Sequence, residues 1–227
     1  MLRRDKLNHL KWPQGAEEFV AGARALEKDD PKSPLGYELM MEAIDNYEYF
    51  HERDKARSLA EKMAQSYTPP RYRAWAEGYL RRSDALGKPI SIRFAAVDGK
   101  TVDLADMRGK VVLVDFWATG CRPCVAELPA LKAVYERLHQ RGFEVIGISC
   151  DTDKERLLNF TKKNGYSWPE YFDGKLQEDN KFTQQFGIDG IPHMFLVDRQ
   201  GKLRVDGVRA KGGFETQIEK LLDESQN

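Results

Sequence analysis

Apolar residues recur at helical spacing from about Gly15 to Gly87 and then switch to the shorter period of strands. Phe19, Val20, Ala23 and Leu26 form one stripe, and Tyr37, Met40, Ile44 and Tyr47 a second. Ala56, Leu59, Ala60, Met63 and Tyr67 form a third, and Tyr72, Trp75, Ala76 and Tyr79 a fourth. Breakers fall between them: Asp29-Asp30-Pro31 ends the first, Ser33-Pro34 caps and opens the second, and Thr68-Pro69-Pro70 divides the third from the fourth. This pattern predicts a small helical domain of two helix pairs. Aromatic residues at such spacing are read as core rather than as a peptide-binding groove.

Past Gly87-Lys88-Pro89 the residues Ile90, Ile92 and Phe94 alternate, Asp98-Gly99 signals a two-residue hairpin turn, and Val102 and Leu104 return. Val111 to Val114 is apolar on both faces, which predicts a central strand. A helical pattern through Leu128, Leu131, Val134, Tyr135 and Leu138 reaches Gly142, and Phe143 to Ser149 reads as the next strand. Leu157, Leu158 and Phe160 predict a helix ending at Asn164-Gly165. Met194 to Val197 and Leu203 to Val205 read as a hairpin, and Phe214 to Leu222 as a closing amphipathic helix. The order implies an α/β domain with a mixed sheet over 87–227, preceded by a helical domain over 1–86.

Composition narrows the classes. Lys plus Arg equals Asp plus Glu at 36 each in 227 residues, so no net field concentrates polyanions and backbone-driven nucleic-acid binding is disfavoured. The longest nearly apolar stretch, Val111 to Ala118, is broken by Asp115 and falls far short of the roughly 20 residues a bilayer requires. Met1-Leu2-Arg3-Arg4-Asp5-Lys6 is followed by no apolar run, so it does not read as a secretory signal. Three cysteines allow one intramolecular pair and leave a thiol over.

Cys121-Arg122-Pro123-Cys124 joins a buried strand to a helix. At a helix N-terminus the unpaired N–H groups and the dipole favour a thiolate, which makes Cys121 the exposed nucleophile. Cys124, one turn in, becomes the resolving thiol. Pro123 suits the first turn. A closed zinc site would need two further ligands at matching spacing, and no second Cys-x-x-Cys exists, so no metal is assigned. Asp115 lies within an apolar strand. It is read as a desolvated carboxyl that accepts and returns the Cys124 proton, with a hydrogen-bonded strand-end residue as the plainer reading. Glu127 is either a second proton-handling carboxylate or a surface helix residue. Cys150 is read as a buried free cysteine, with a third catalytic thiol as the alternative.

These residues resemble the thioredoxin superfamily. Asp115-Phe116-Trp117-Ala118 before the Cys-x-Pro-Cys pair looks like its active-site strand, and Gly190-Ile191-Pro192 stands where that family carries a cis-proline. The stretch from about Gly87 to Glu224 looks like the TlpA/ResA type, with the Asp98-Gly99 hairpin, Gly109-Lys110-Val111-Val112-Leu113-Val114, Glu127-Leu128-Pro129, and an added segment between Asp151 and Lys181. The resemblance implies a thioredoxin-like fold, a mixed central sheet flanked by helices, behind an N-terminal all-helical domain. It also implies a cis Ile191-Pro192 peptide facing the disulfide, an Ile191 backbone open to an extended substrate, and Glu127 as the family's active-site glutamate. Trp117, Gly120, Arg122, Ile191 and Pro192 are taken as the substrate-facing set. Gly120 replaces a common Trp, while Arg122 and His193 add positive charge that would favour the thiolate and make the protein more oxidising than an average reducing thioredoxin.

The implied function is a thiol-disulfide oxidoreductase that exchanges disulfides with protein substrates, and with a reductant or oxidant partner, without a prosthetic group. The family implies a periplasmic or cell-envelope location, with membrane association only through a leader or anchor absent from this chain. Two alternatives come from other classes. A peroxiredoxin-like thiol peroxidase would need a Pro-x-x-x-Thr/Ser-x-x-Cys pattern that is missing, since Thr119 is too close to Cys121. A redox-switched binding module would use the helical domain for binding.

Overall fold

The computed structural model describes residues 13–30, 33–50, 52–65, 69–208 and 213–224. Pro31, Tyr67, Thr68 and the N-terminal residues through Trp12, on which some expectations rest, lie outside the described residues. Two compact units are present, 1–83 and 84–227.

The first unit contains helices α1 (Pro13–Asp29), α2 (Pro34–Tyr49), α3 (Arg53–Gln65) and most of α4 (Pro70–Ala85). The four apolar stripes meet in one core that includes Phe19, Ala23, Ile44, Ala60, Met63, Trp75 and Ala76. The aromatic residues pack there: Tyr37 stacks on Tyr72 with centroids 4.9 Å apart, and Trp75 on Tyr79 at 5.9 Å. Ser33 stands at the N-cap of α2 but its side chain makes no capping hydrogen bond. The helix start therefore rests on Pro34, whose fixed φ suits the first turn.

In the second unit, a hairpin of β1 (Arg93–Ala95) and β2 (Thr101–Asp103) precedes β3 (Val111–Trp117), α5 (Arg122–Leu138), β4 (Phe143–Ser149) and α6 (Lys154–Asn164). Then come β5 (Glu170–Phe172), α7 (Lys181–Phe186), β6 (His193–Val197), β7 (Leu203–Asp206) and α8 (Phe214–Asp223). The five-stranded sheet has the order β5-β4-β3-β6-β7, with β3 parallel to β4, β4 parallel to β5, and β6 and β7 antiparallel. The apolar run beginning at Val111 thus occupies the central strand, and all of β3 is buried.

Period-two alternation sorts the strands onto two cores. Val111, Leu113, Trp117, Val145, Met194 and Leu196 face Cys124, Leu128 and Leu131 of α5 and Ile218 of α8. Val112, Val114, Phe116, Ile146, Phe195 and Val197 face Phe94 and Val102 of the hairpin and Phe182 and Phe186 of α7.

Three differences from the sequence reading have physical causes. The second unit starts at residue 84, a few residues before 87: Leu86 bridges Leu203, and Lys88 N donates to Ala85 O (2.8 Å) while its own carbonyl accepts from Leu203 N (2.9 Å), which ties this segment to the sheet edge. The hairpin loop has three residues rather than two: Ala96 N bonds Lys100 O and Gly99 takes φ +87°, the left-handed position that follows a type I turn. Strand β5 and helix α7 are additions to the expected elements; three and six residues are too short to display a period.

Candidate active site

Strand β3 sets the site. Asp115 lies between Leu113 and Trp117 on the face that α5 covers, and it is 1% exposed. The chain then turns through Ala118-Thr119-Gly120, a turn held from the neighbouring strand. Asp151, just past β4, accepts bonds from Thr119 N (3.1 and 3.0 Å), Thr119 Oγ1 and Ser149 Oγ (3.0 Å). The pinned turn delivers Cys121 to the N-cap of α5, with Pro123 in the first turn.

Cys121 and Cys124 form a disulfide with Cα atoms 5.2 Å apart. Cys121 is partly exposed and Cys124 buried, so an incoming partner meets Cys121 first. The Cys124 backbone N–H donates to Cys121 Sγ at 3.2 Å, the kind of contact that favours a thiolate once the disulfide opens. The Ile191-Pro192 peptide is cis, and Ile191 O lies 3.7 Å from Cys121 Sγ. Pro192 itself is buried, which leaves the partly exposed Ile191 as the accessible part of that segment. Gly120 and Arg122 are exposed beside it. A Cβ at Gly120 would meet only Arg156 Nη2, at an ordinary 3.5 Å, so nothing steric requires glycine there.

Glu127 is buried on the same stripe of α5 as Cys124 and Leu128, not on the helix surface. Two residues are placed differently from expectation. Trp117 is fully buried and its indole donates to Glu170 Oε2 at 3.0 Å, so it supports the site from within the core and has no surface for a substrate. His193 packs its ring on Phe116 and Phe195, on the sheet face away from Cys124, and pairs with Asp206 at 2.7 Å. Strand alternation turns it away from the disulfide and towards Asp206, leaving Arg122 as the cation in the loop itself.

Cys150 is free and buried, with its backbone N–H on Trp117 O at 2.8 Å. Burial, reinforced by the carboxylates of Asp173, Asp151 and Asp115, pushes its thiol up to about 12. It remains protonated and unreactive near neutral pH.

Sequence reasoning missed Glu170. In register across the sheet, Glu170 of β5 is opposite Gly147 of β4, and Gly147 is opposite Asp115 of β3. The carboxyl lies over Gly147, where a Cβ would stand 2.0 Å from Oε2. Burial raises this carboxyl to about 8 against the opposing Trp117 hydrogen bond, and the charges of Asp115 and Asp151 push it the same way. The available signal was Gly147, a glycine inside an otherwise bulky buried strand.

A family model described as Redoxin matches residues 85–222. The thiol-disulfide oxidoreductase ResA of Bacillus thuringiensis (strain Al Hakam) is 29% identical over 127 residues, covering 55% of this chain and 71% of that protein. A crystal structure of the thioredoxin domain of a thiol-disulfide oxidoreductase from Bacteroides vulgatus is 30% identical with a TM-score of 0.52, covering 60% of this chain and 97% of that one. A solution structure of a thiol:disulfide interchange protein from a Bacteroides species is 29% identical with a TM-score of 0.52, covering 63% and 95%. The helical unit precedes the family match, whereas the cysteine pair, the cis-proline and the sheet all lie inside it. This chain belongs to the redoxin family, as a thiol-disulfide oxidoreductase of thioredoxin-like fold.

Proposed function

We propose that the protein exchanges disulfides with protein partners through Cys121 and Cys124, which carry the two electrons without a prosthetic group. In the reduced protein the Cys121 thiolate attacks a partner disulfide. A mixed disulfide forms, and the departing partner sulfur leaves as a thiolate that takes up a proton. Cys124 then passes its proton to Asp115, and its thiolate attacks Cys121 Sγ. The internal disulfide closes and the partner leaves as a dithiol. Reversal of these steps oxidises a partner instead. Glu127, buried one turn beyond Cys124, serves as a second carboxylate for proton handling.

The partly exposed Ile191 beside Cys121 offers an extended peptide a backbone to pair with, and Gly120 and Arg122 form the rim. The observation that carries this reading is the asymmetry of the pair, a partly exposed N-cap sulfur bonded to a buried one. The family resemblance supports a periplasmic or cell-envelope location for the reaction. No helix among the described residues is long and apolar enough to cross a membrane.

Trapping tests the reading. In Cys124→Ala the mixed disulfide has no internal thiol to resolve it, so a partner is expected to stay covalently bound at Cys121 and to be released by reductant. Absence of adducts, together with absence of insulin reduction by the unaltered protein, would overturn it.

A further inference from the structure

Glu170 is a buried acid that the reaction above does not use, and its surroundings set it apart from an ordinary structural carboxylate. It belongs to a cross-sheet row, Glu170, Gly147, Asp115 and Met194, whose side chains share the face covered by α5. Adjacent strands are about 4.8 Å apart. The Glu170 carboxyl occupies the space over Gly147, whose register neighbour on β3 is Asp115, and lies near enough for the Asp115 charge to act on it. Trp117 Nε1 fixes it there through Oε2. Oε1 has no hydrogen-bond partner among the described residues, and the Trp168 indole acts on the group from outside hydrogen-bond geometry.

We propose that Glu170 and Asp115 act as a coupled carboxyl pair that shares one proton, with Glu170 as a positioning residue acting on Cys124 through Asp115. This rests on the reading of Asp115 as the acceptor of the Cys124 proton.

Two carboxylates this close in a dry interior cannot both ionise cheaply, so their protons leave in two separated steps. After the first loss the pair holds one proton and one negative charge. The remaining charge accepts the Cys124 proton, giving a doubly protonated pair and a Cys124 thiolate. The proton returns when the internal disulfide is reopened. Loss of the second proton adds a further charge beside Cys124 and disfavours its thiolate.

The other ionisable groups around the pair are few. Asp151 lies past β4 directly after the free thiol of Cys150, which the Asp115 and Asp151 charges help to hold protonated, and α5 contributes Glu127 and the cysteine pair. Tyr135 and Tyr166, which pack on Trp168, are held in the phenol form by burial. The raised ionisation of Glu170 agrees with this arrangement and is attributed first to burial, with the Asp115 charge adding to it.

Glu170→Gln tests the pair, because an amide oxygen can still accept from Trp117 but the group no longer titrates. The pH profile of insulin reduction by the unaltered protein is expected to show an upper inflection that the variant loses. The single carboxyl step that remains should lie on the acid side of the lost upper inflection. Superimposable profiles would overturn the proposal.

If Glu170→Gln does not fold, the ¹⁵N–¹H resonance of the Trp117 indole, assigned with Trp117→Phe, provides a second test. It should titrate with Glu170 in the unaltered protein, and its midpoint should move towards acid in Asp115→Asn. An unmoved midpoint would refute coupling. Asp115→Asn also separates the two levels of inference. A resolving step as fast as in the unaltered protein defeats the reading of Asp115 itself, whereas a slowed step with a Glu170→Gln profile that matches the unaltered one defeats the pair alone.

Discussion

Strands β3 and β4 run parallel and adjacent, Trp117 opposite Ser149, and each delivers a cysteine just beyond its end. The sulfur after β3 sits at a helix N-cap, partly exposed, with a backbone N–H directed at it. The sulfur after β4 is buried with no helix start of its own, and neighbouring carboxylates raise its thiol further. Residue type and sheet layer are the same, so the difference in reactivity comes from the structure each strand leads into. A turn into a helix aims N–H dipoles at Cys121, while a buried strand end desolvates Cys150 and sets it near carboxylates. The inert end also supports the reactive one. Asp151 comes directly after Cys150 and holds Thr119 in the turn that positions Cys121.

The contrast breaks most sharply in activity. Cys121→Ser is expected to reduce insulin-disulfide reduction to the uncatalysed level, and Cys150→Ala to retain it within about twofold, as for a small buried side chain outside the chemistry. Comparable losses in both would erase the distinction. Asp151→Ala removes the acceptor for the Thr119 backbone and hydroxyl and for Ser149. It should cost about 1–3 kcal/mol for each buried donor left unsatisfied, measured by urea unfolding, and should slow exchange because the Cys121 turn loses its anchor. Full stability and rate in this variant would show that the turn holds itself.

The smallest effect concerns pH. The folded-state value of Glu170, about 8, lies above its ordinary 4.5, so the folded protein binds more protons than the unfolded chain between those limits. Stability from this group is therefore present below about pH 4.5 and declines as pH rises through about 8, by at most ~1.4 kcal/mol per pH unit. Relative to Glu170→Gln, the unaltered protein should lose stability over that window. A constant difference would show that Glu170 does not titrate there.

Much of this was legible in the sequence because it depends on local patterns. The run at Val111 to Val114 revealed a strand buried on both faces, and Cys121-Arg122-Pro123-Cys124 revealed a helix start bearing a reactive pair. The features that escaped depend on cross-strand register. His193 looked adjacent to the site along the chain, but period two places it with Phe195 on the opposite face. Trp117 looked like part of an exposed motif, but its partner Glu170 is far along the chain on a strand too short to recognise. Gly147 makes room for that partner, and its purpose is evident only once β4 is seen between β3 and β5.

The most direct test of the two-cysteine contrast is alkylation of the reduced, native protein from about pH 5 to about pH 10, read site by site by mass spectrometry. Cys121 should label with an inflection below the ordinary cysteine value of about 8.5. With its thiol near 12, Cys150 has a thiolate fraction on the order of 10⁻⁴ at about pH 8 and should label only after unfolding. Labelling of native Cys150 as fast as Cys121, or recovery of Cys150 in a disulfide after oxidation, would contradict the assignment of these two strand ends.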